Sequence, residues 1–196
     1  MRLTEIAVRR WWLMPLAALI AWAAAWGQSK PIDAAHSTMM VHVFKAGVLS
    51  ALGHDHEIMA PVAEGSVDAA ARKVELRLNA AALRVVDAKA SDKDRGEIQS
   101  TMLGSEVLDA QNFKEIRFLS TSAGQLAAGA WTVTGDLTLH GQTRPITVQV
   151  REKDGRYTGS GKLKITEFGI KPVKAAGGTV RVKDEVQIDF DIQVAR

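Results

Sequence analysis

The chain has 196 residues, of which 25 are Lys or Arg, 22 are Asp or Glu and none is Cys. A length near 200 fits one domain plus a processing segment, and the absence of Cys excludes disulfides, thiolate metal sites and a Cys nucleophile. Of the net charge of +3, residues 1–25 carry +2, so the remainder is almost neutral at +1. Because nucleic-acid binding needs clustered positive charge, that class of protein is excluded.

The first 27 residues have the layout of a secretory signal peptide. Arg2, Arg9 and Arg10 precede an apolar run over residues 11–26, which is short for a membrane-spanning helix of about 20 residues. Small residues follow, so we expect a signal peptide over residues 1–27, cleaved after Ala25 or Gly27, and a periplasmic protein. An uncleaved inner-membrane anchor is the alternative, and the adjacent Arg9-Arg10 leaves both Sec and twin-arginine export open.

From residue 31 onward, polar and apolar residues alternate, as they do in strands with one buried face. The run over residues 185–194 alternates without a break. The pattern predicts eight strands, at residues 32–46, 57–67, 74–78, 115–122, 131–139, 146–150, 157–165 and 185–194. Short polar segments such as His140-Gly141-Gln142-Thr143 separate several of them, which is typical of hairpins.

One segment has helical rather than strand spacing. Ser91 is placed as an N-cap, acidic residues follow in the first turn, and Gly104 is placed to end the helix. A short turn over residues 105–108 continues from it. The sequence therefore predicts an all-β domain over residues 31–196, a single eight-stranded antiparallel barrel with a short helical insert. The interior of such a barrel can be filled by side chains or can hold one small ligand.

Three glycines help to decide whether side chains fill the barrel interior or a ligand occupies it. Gly135, Gly159 and Gly161 fall on the inward side of their strands, where a packed core favours Val, Ile or Leu. They could mark bends at barrel corners, or they could leave space open for a ligand.

Several motifs, in order along the chain, carry a resemblance to a known family. They are Ile32-Asp33-x-x-His36-Ser37, Met102-Leu103-Gly104-Ser105-Glu106-Val107-Leu108-Asp109, Phe113-Lys114-Glu115-Ile116-Arg117-Phe118 and Gly135-Asp136-Leu137-Thr138-Leu139-His140-Gly141-x-Thr143-Arg144-Pro145. The chain resembles the YceI-like family of lipid- or polyisoprenoid-binding periplasmic proteins over about residues 31–194. The resemblance implies a lipocalin-like barrel that binds a long apolar molecule without covalent chemistry, with no cofactor and no catalytic residues.

Strand alternation then predicts which side chains face the ligand. The expected pocket lining is Val133, Leu137, Gly159, Gly161, Leu163, Val186, Ile188, Phe190 and Ile192. The expected partner is an isoprenoid or long-chain acyl lipid. The protein is expected to act as its carrier or sensor and to contact a membrane transiently. No Ser/His/Asp set or carboxylate pair has a recognisable catalytic spacing, so an enzyme is not expected.

A Gly53-His54-Asp55-His56 stretch departs from typical members of that family and resembles a subgroup, which affects the expected ligand more than the fold. Because His54 and His56 are two residues apart, their imidazoles share one face of a strand. They could bind Zn²⁺ or Cu²⁺ in a metal- or haem-handling protein, with a third ligand from His36, His140 or Asp55. The other interpretation is that they hydrogen-bond the backbone at the barrel end.

A basic cluster lies near one predicted strand end. It consists of Lys171, Lys174, Arg181 and Lys183. Such clusters usually form a solvated face, and the alternative is contact with an anionic headgroup at the barrel mouth.

Overall fold

A computed structural model describes the chain over residues 29–47, 55–175 and 180–195. The predicted signal peptide at residues 1–27 and the predicted metal ligand His54 lie outside the described residues. Among the helices of these ranges, none has both the length and the apolar character needed to cross a membrane.

The described ranges form twelve strands, one α-helix and three short 3₁₀ turns. The strands are β1 (Lys30–Pro31), β2 (Thr38–Ala46), β3 (His56–Met59), β4 (Val62–Asp68), β5 (Lys73–Asn79), β6 (Arg84–Val85), β7 (Glu115–Ala127), β8 (Ala130–Leu139), β9 (Gln142–Lys153), β10 (Arg156–Lys164), β11 (Lys174–Ala175) and β12 (Val180–Gln193). The helix α1 is Asp92–Leu103, and the 3₁₀ turns are Ala34–His36, Ala80–Ala82 and Ile165–Phe168.

All strands belong to one antiparallel sheet, which forms an open half-barrel. Its hydrogen-bonded order in the described part of the chain is β1-β4-β5-β7-β8-β9-β10-β12-β2-β3-β6, with β11 paired to β12. The predicted all-β class is confirmed. The prediction of an eight-stranded closed barrel is wrong, because the sheet has more strands and its path does not close.

Pro61 explains much of the difference. The strand predicted at residues 57–67 is divided at Ala60-Pro61 into β3 and β4. Before the break Met59 pairs with Met40 of β2, and after it Val62 pairs with Leu78 of β5. Since proline has no backbone N–H to donate, the ladder is interrupted where the chain changes partners.

The strand predicted at residues 32–46 is also divided, here by the 3₁₀ turn Ala34–His36. The Asp33 carboxylate accepts from the His36 backbone N–H at 3.3 Å and lies 2.8 Å from His36 Nδ1, so it caps this turn. The Asp33 N–H donates to the carbonyl O of Gln193 at 2.8 Å. This segment therefore ties the N-terminal part of the sheet to the end of β12.

The strand registers define two ends of the half-barrel. At the hairpin end, Asp68 lies opposite Lys73 in the β4–β5 turn, and Trp131 lies opposite Val150. At the helix end lies the start of β12, where Arg181 is opposite Ala46 of β2.

The helix α1 covers part of the helix end. The Ser91 side chain accepts from the Asp94 N–H at 3.1 Å, and the Gly104 N–H donates to the Ser100 carbonyl at 3.0 Å, so both predicted caps are confirmed. The Gln99 side chain accepts from the Val85 N–H at 2.8 Å. Because Val85 belongs to β6, which pairs with β3, this bond attaches the helix to the edge of the sheet.

Phe168 anchors the main core and has no solvent exposure. Its carbonyl oxygen lies 3.2 Å from Nδ1 of His140, and since a carbonyl can only accept, this nitrogen carries the proton. His140 lies in the β8–β9 turn with φ 50°, and its ring meets that of Phe113 edge-on at 4.6 Å. The predicted turn at His140-Gly141 is therefore confirmed, and its imidazole has a packing role.

Candidate functional site

The half-barrel encloses a cavity of about 850 Å³. This volume lies in the range of about 300–1,000 Å³ that is typical of small-molecule sites. Apolar side chains from both walls and from α1 line it, among them Val41, Leu76, Phe118, Val148 and Met102. The charged side chains of the lining lie at the two ends of the cavity, so a long apolar molecule would contact mainly apolar side chains along the walls.

Seven of the nine predicted lining residues come together around this cavity. They are Val133, Leu137, Leu163, Val186, Ile188, Phe190 and Ile192. The register shows why alternation placed them correctly on one face: Ile188 lies between Val41 of β2 and Gly161 of β10, so inward residues of neighbouring strands are aligned.

The two predicted lining glycines do not line the cavity. A Cβ built at Gly159 would overlap the carbonyl oxygen of Gln149 and lie 2.6 Å from the Phe190 ring. A Cβ at Gly161 would lie 2.6 Å from Cγ1 of Val148. Phe190 and Val148 themselves line the cavity, so the glycines make room for these side chains. The structure thus corrects their interpretation as volume kept open for a ligand.

Gly159→Ala is therefore expected to lower the free energy of unfolding by about 1–3 kcal/mol, as overpacking in a core does. Gly124→Ala is the matched control, because a Cβ at this glycine of β7 would meet nothing within 4 Å. The control should leave stability unchanged or raise it by up to about 1 kcal/mol. Urea unfolding followed by circular dichroism measures both, and equal stability of the two variants would contradict the close approach at Gly159.

Sequence reasoning missed the opposite wall of the cavity. This wall includes Met39, Val41 and Val43 of β2 and Leu76 and Leu78 of β5. A signal was present, since residues 39, 41 and 43 are apolar at every second position. Met40 within this row and Phe44 directly after it are not polar, and they concealed the alternation.

At the hairpin end, the charged groups beside the cavity include both signs. Asp68, Arg72, Lys73 and Glu152 contribute to its lining there. The Arg72 guanidinium lies 5.4 Å from the centre of the Trp131 ring, a cation–π contact. Burial raises the pKa of the Tyr157 phenol above its ordinary value, and the Glu152 carboxylate adds to this. Tyr157 therefore presents a neutral hydroxyl at neutral pH.

At the helix end, His56 is held by a buried carboxylate. Its Nδ1 lies 2.6 Å from Oδ2 of Asp87, whose side chain is 2% exposed. The other carboxylate oxygen accepts from the Glu57 N–H, and Arg95 donates to the Asp87 carbonyl at 3.0 Å. His56 also contributes to the cavity lining. The imidazole therefore has a fixed position at the boundary between core and cavity.

The described residues do not assemble the predicted metal site. Within residues 29–47, 55–175 and 180–195, no group of three His, Asp or Glu side chains could hold a metal ion. Of the suggested third ligands, His36 pairs with Asp33 near the end of β12, and His140 lies against Phe168. Asp55 accepts from the backbone N–H of Lys45 at 2.9 Å.

Asp87→Ala tests the structural interpretation of His56. The change removes the acceptor for the His56 ring and the Glu57 N–H, so we expect a loss of about 3 kcal/mol in the free energy of unfolding. Asp33→Ala, which removes a carboxylate from the exposed His36, should cost much less. Thermal unfolding of chelator-treated protein measures both. A wild-type melting temperature that rises with added Zn²⁺, with no rise in His56→Gln, would instead support the metal interpretation.

An antiparallel half-barrel around an apolar cavity is the architecture of proteins that enclose hydrophobic ligands. Residues 31–194 match the family model of the YceI-like domain. The chain therefore belongs to the YceI-like family.

Curated relatives carry the name UPF0312 protein. One from Vibrio parahaemolyticus is 30% identical over 114 residues, which is 53% of this chain and 59% of the relative. One from Shewanella denitrificans is 25% identical over 147 residues, covering 70% of this chain and 73% of the relative. The Vibrio match thus spans less than two thirds of that relative's length.

Solved structures show the same fold. Burkholderia cenocepacia BcnA superposes with a TM-score of 0.60 at 20% identity, covering 84% of this chain and 99% of BcnA. A mutant Campylobacter jejuni YceI protein, crystallised with monobromobimane as a guest, gives a TM-score of 0.51 at 13% identity over 71% of this chain and 81% of its own. At these identities the likeness is one of fold.

Proposed function

We propose that the protein binds the apolar chain of a polyisoprenoid or another long-chain lipid in the half-barrel, as a non-catalytic carrier or sensor. The observation that carries this proposal is the cavity of about 850 Å³ with its apolar walls. Membership of the YceI-like family, whose fold suits a hydrophobic ligand, supports it.

The energetics of chain burial are sufficient. Each methylene removed from water contributes about 0.8 kcal/mol, so fifteen buried methylenes contribute about 12 kcal/mol. Micromolar affinity requires about 8 kcal/mol, which leaves about 4 kcal/mol to offset the ordering of ligand and protein.

Native mass spectrometry of the purified protein tests the proposal. We expect an adduct of lipid mass that is removed by delipidation and returns when an isoprenoid or long-chain alcohol is added. Solvent extraction followed by lipid mass spectrometry identifies the natural ligand. Absence of lipid, together with no uptake of added isoprenoids or fatty acids, would overturn the proposal, and a metal-sized adduct would favour metal handling.

We also propose that the protein is exported to the periplasm, on the basis of the arginines, the apolar run and the small residues in positions 1–27. N-terminal sequencing of protein from the cell envelope is expected to begin at Trp26 or Gln28. Recovery of an intact chain beginning at Met1 in the membrane fraction would support an anchor instead.

A further inference from the structure

The charged side chains that border the cavity are distributed unequally between its two ends. At the hairpin end, two acidic and two basic residues balance: Asp68 and Glu152 against Arg72 and Lys73. Among the residues that line the cavity at the helix end, four are basic and one is acidic: Lys45, Lys171, Lys174 and Arg181 against Glu97. The helix end is therefore cationic, and the hairpin end is close to neutral.

Strand pairing brings the cations of the helix end together. Lys174 of β11 lies directly opposite Arg181 of β12. On the other side of β12, Lys45 of β2 lies opposite Val182, the next residue after Arg181. Because directly opposite residues share a face of the sheet, Lys174 and Arg181 leave one face, and Lys45, opposite Val182, leaves the other, inward face. All three side chains border this end of the cavity.

Lys45 differs from the other cations because it continues the apolar inward row of β2. Residues 39, 41 and 43 of this row line the cavity, and Lys45 follows at the same two-residue spacing and is half-buried. His56, fixed by Asp87, lies opposite Val43 on the neighbouring strand. The apolar wall thus ends in a lysine and an imidazole.

The outer cations of this end are available to a ligand. In the part of the chain that the structure describes, no carboxylate lies within ion-pairing distance of Lys171, Lys174 or Arg181. The neighbouring segments 48–54 and 176–179, which lie outside the described residues, contain no Asp or Glu in their sequence.

We infer that the helix end binds the anionic headgroup, a carboxylate or a phosphate, of an amphiphile whose chain occupies the cavity. Lys45 contacts the headgroup from inside the cavity, and Arg181 and Lys174 contact it from the rim. Charge-assisted hydrogen bonds to carboxylates and phosphates are stronger than neutral ones, and partial burial reduces their screening by salt. The inference rests on the proposed function and defines the class of lipid that the site selects.

Displacement of a fluorescent apolar probe from the purified protein tests the headgroup. The competitors share one chain length and differ in charge: dodecanoate, 1-dodecanol and dodecyltrimethylammonium. We expect dodecanoate to bind about tenfold more tightly than 1-dodecanol at low salt, a difference of about 1.4 kcal/mol, and the cation to bind least. High salt should reduce the preference.

Lys45→Met and Arg181→Gln should each lower the ratio of the affinity for dodecanoate to the affinity for 1-dodecanol. Lys73→Gln at the hairpin end is the matched control and should keep the full preference. Arg181 is exposed, so this variant keeps the test decisive if Lys45→Met fails to fold.

The outcomes separate the inference from the proposed function. Equal affinity for dodecanoate and 1-dodecanol overturns the headgroup site and leaves chain binding intact. Failure of every long-chain compound to displace the probe overturns the proposed function. If butyrate or inorganic phosphate displaces the probe as effectively as dodecanoate does, the protein has a site for free anions, and the inference is overturned. A preference lost equally in Lys73→Gln overturns it as well.

Discussion

Ile188→Asp is expected to prevent folding, or to lower the free energy of unfolding by more than about 4 kcal/mol. Ile188 lies in the middle of β12, opposite Val41 on one side and Gly161 on the other, and its side chain faces the cavity. A carboxylate there would be surrounded by Val41, Val148 and other apolar groups. It would lose much of its hydration at this half-buried position without gaining a hydrogen-bond partner.

Leu126→Asp introduces the same acidic side chain at a residue that is 68% exposed, at the end of β7. This control should change stability by no more than about 0.5 kcal/mol. Circular dichroism and thermal unfolding compare the two variants, and probe displacement shows whether a folded fraction still binds 1-dodecanol. A soluble Ile188→Asp protein with an unchanged melting temperature would reverse the assignment of inward and outward faces on β12.

Phe168→Ala is expected to lower the free energy of unfolding by about 3–5 kcal/mol. Phe168 is fully buried in the larger core cluster, which also contains Leu163, Ile170 and Val186. Truncation leaves a cavity that this part of the core cannot fill, because the residue is held in a 3₁₀ turn between β10 and the following segment. The contact between the Phe168 carbonyl oxygen and the His140 ring should persist, because on the Phe168 side it involves only the backbone.

Leu119→Ala on the outer face of β7 is the matched truncation, since Leu119 is 39% exposed. This variant should lower the free energy of unfolding by less than about 1.5 kcal/mol, because it removes less buried apolar surface. Urea unfolding of both variants measures the difference. If Phe168→Ala were no less stable than Leu119→Ala, Phe168 would not anchor the core.

The sequence predicts correctly those features whose physical cause lies within a few neighbouring residues. Side chains alternate across a strand whatever its partners are, so the inward positions of Leu163, Val186 and Ile188 followed from spacing alone. The caps at Ser91 and Gly104 likewise satisfy backbone groups within the helix itself. For the same reason, the all-β class could be predicted from the sequence.

Features that depend on distant residues could not be predicted in this way. The space beside Gly159 and Gly161 is filled by Phe190 and Val148, and only the alignment of β9, β10 and β12 brings these groups together. The partner of His56 is Asp87, 31 residues away, on a segment with no distinctive spacing.

What the amino-acid sequence by itself determined was the β class, the inward rows of the later strands, the helix boundaries and the family resemblance. The tertiary structure decided that the strand predicted at residues 57–67 is divided at Pro61, where the chain changes partners, and that basic side chains border one end of the cavity. Lys45 and Arg181 are far apart in the chain, and they lie on adjacent strands because the register of β2 on β12 places them there. Register depends on the packing of whole faces against each other, and no local pattern contains it.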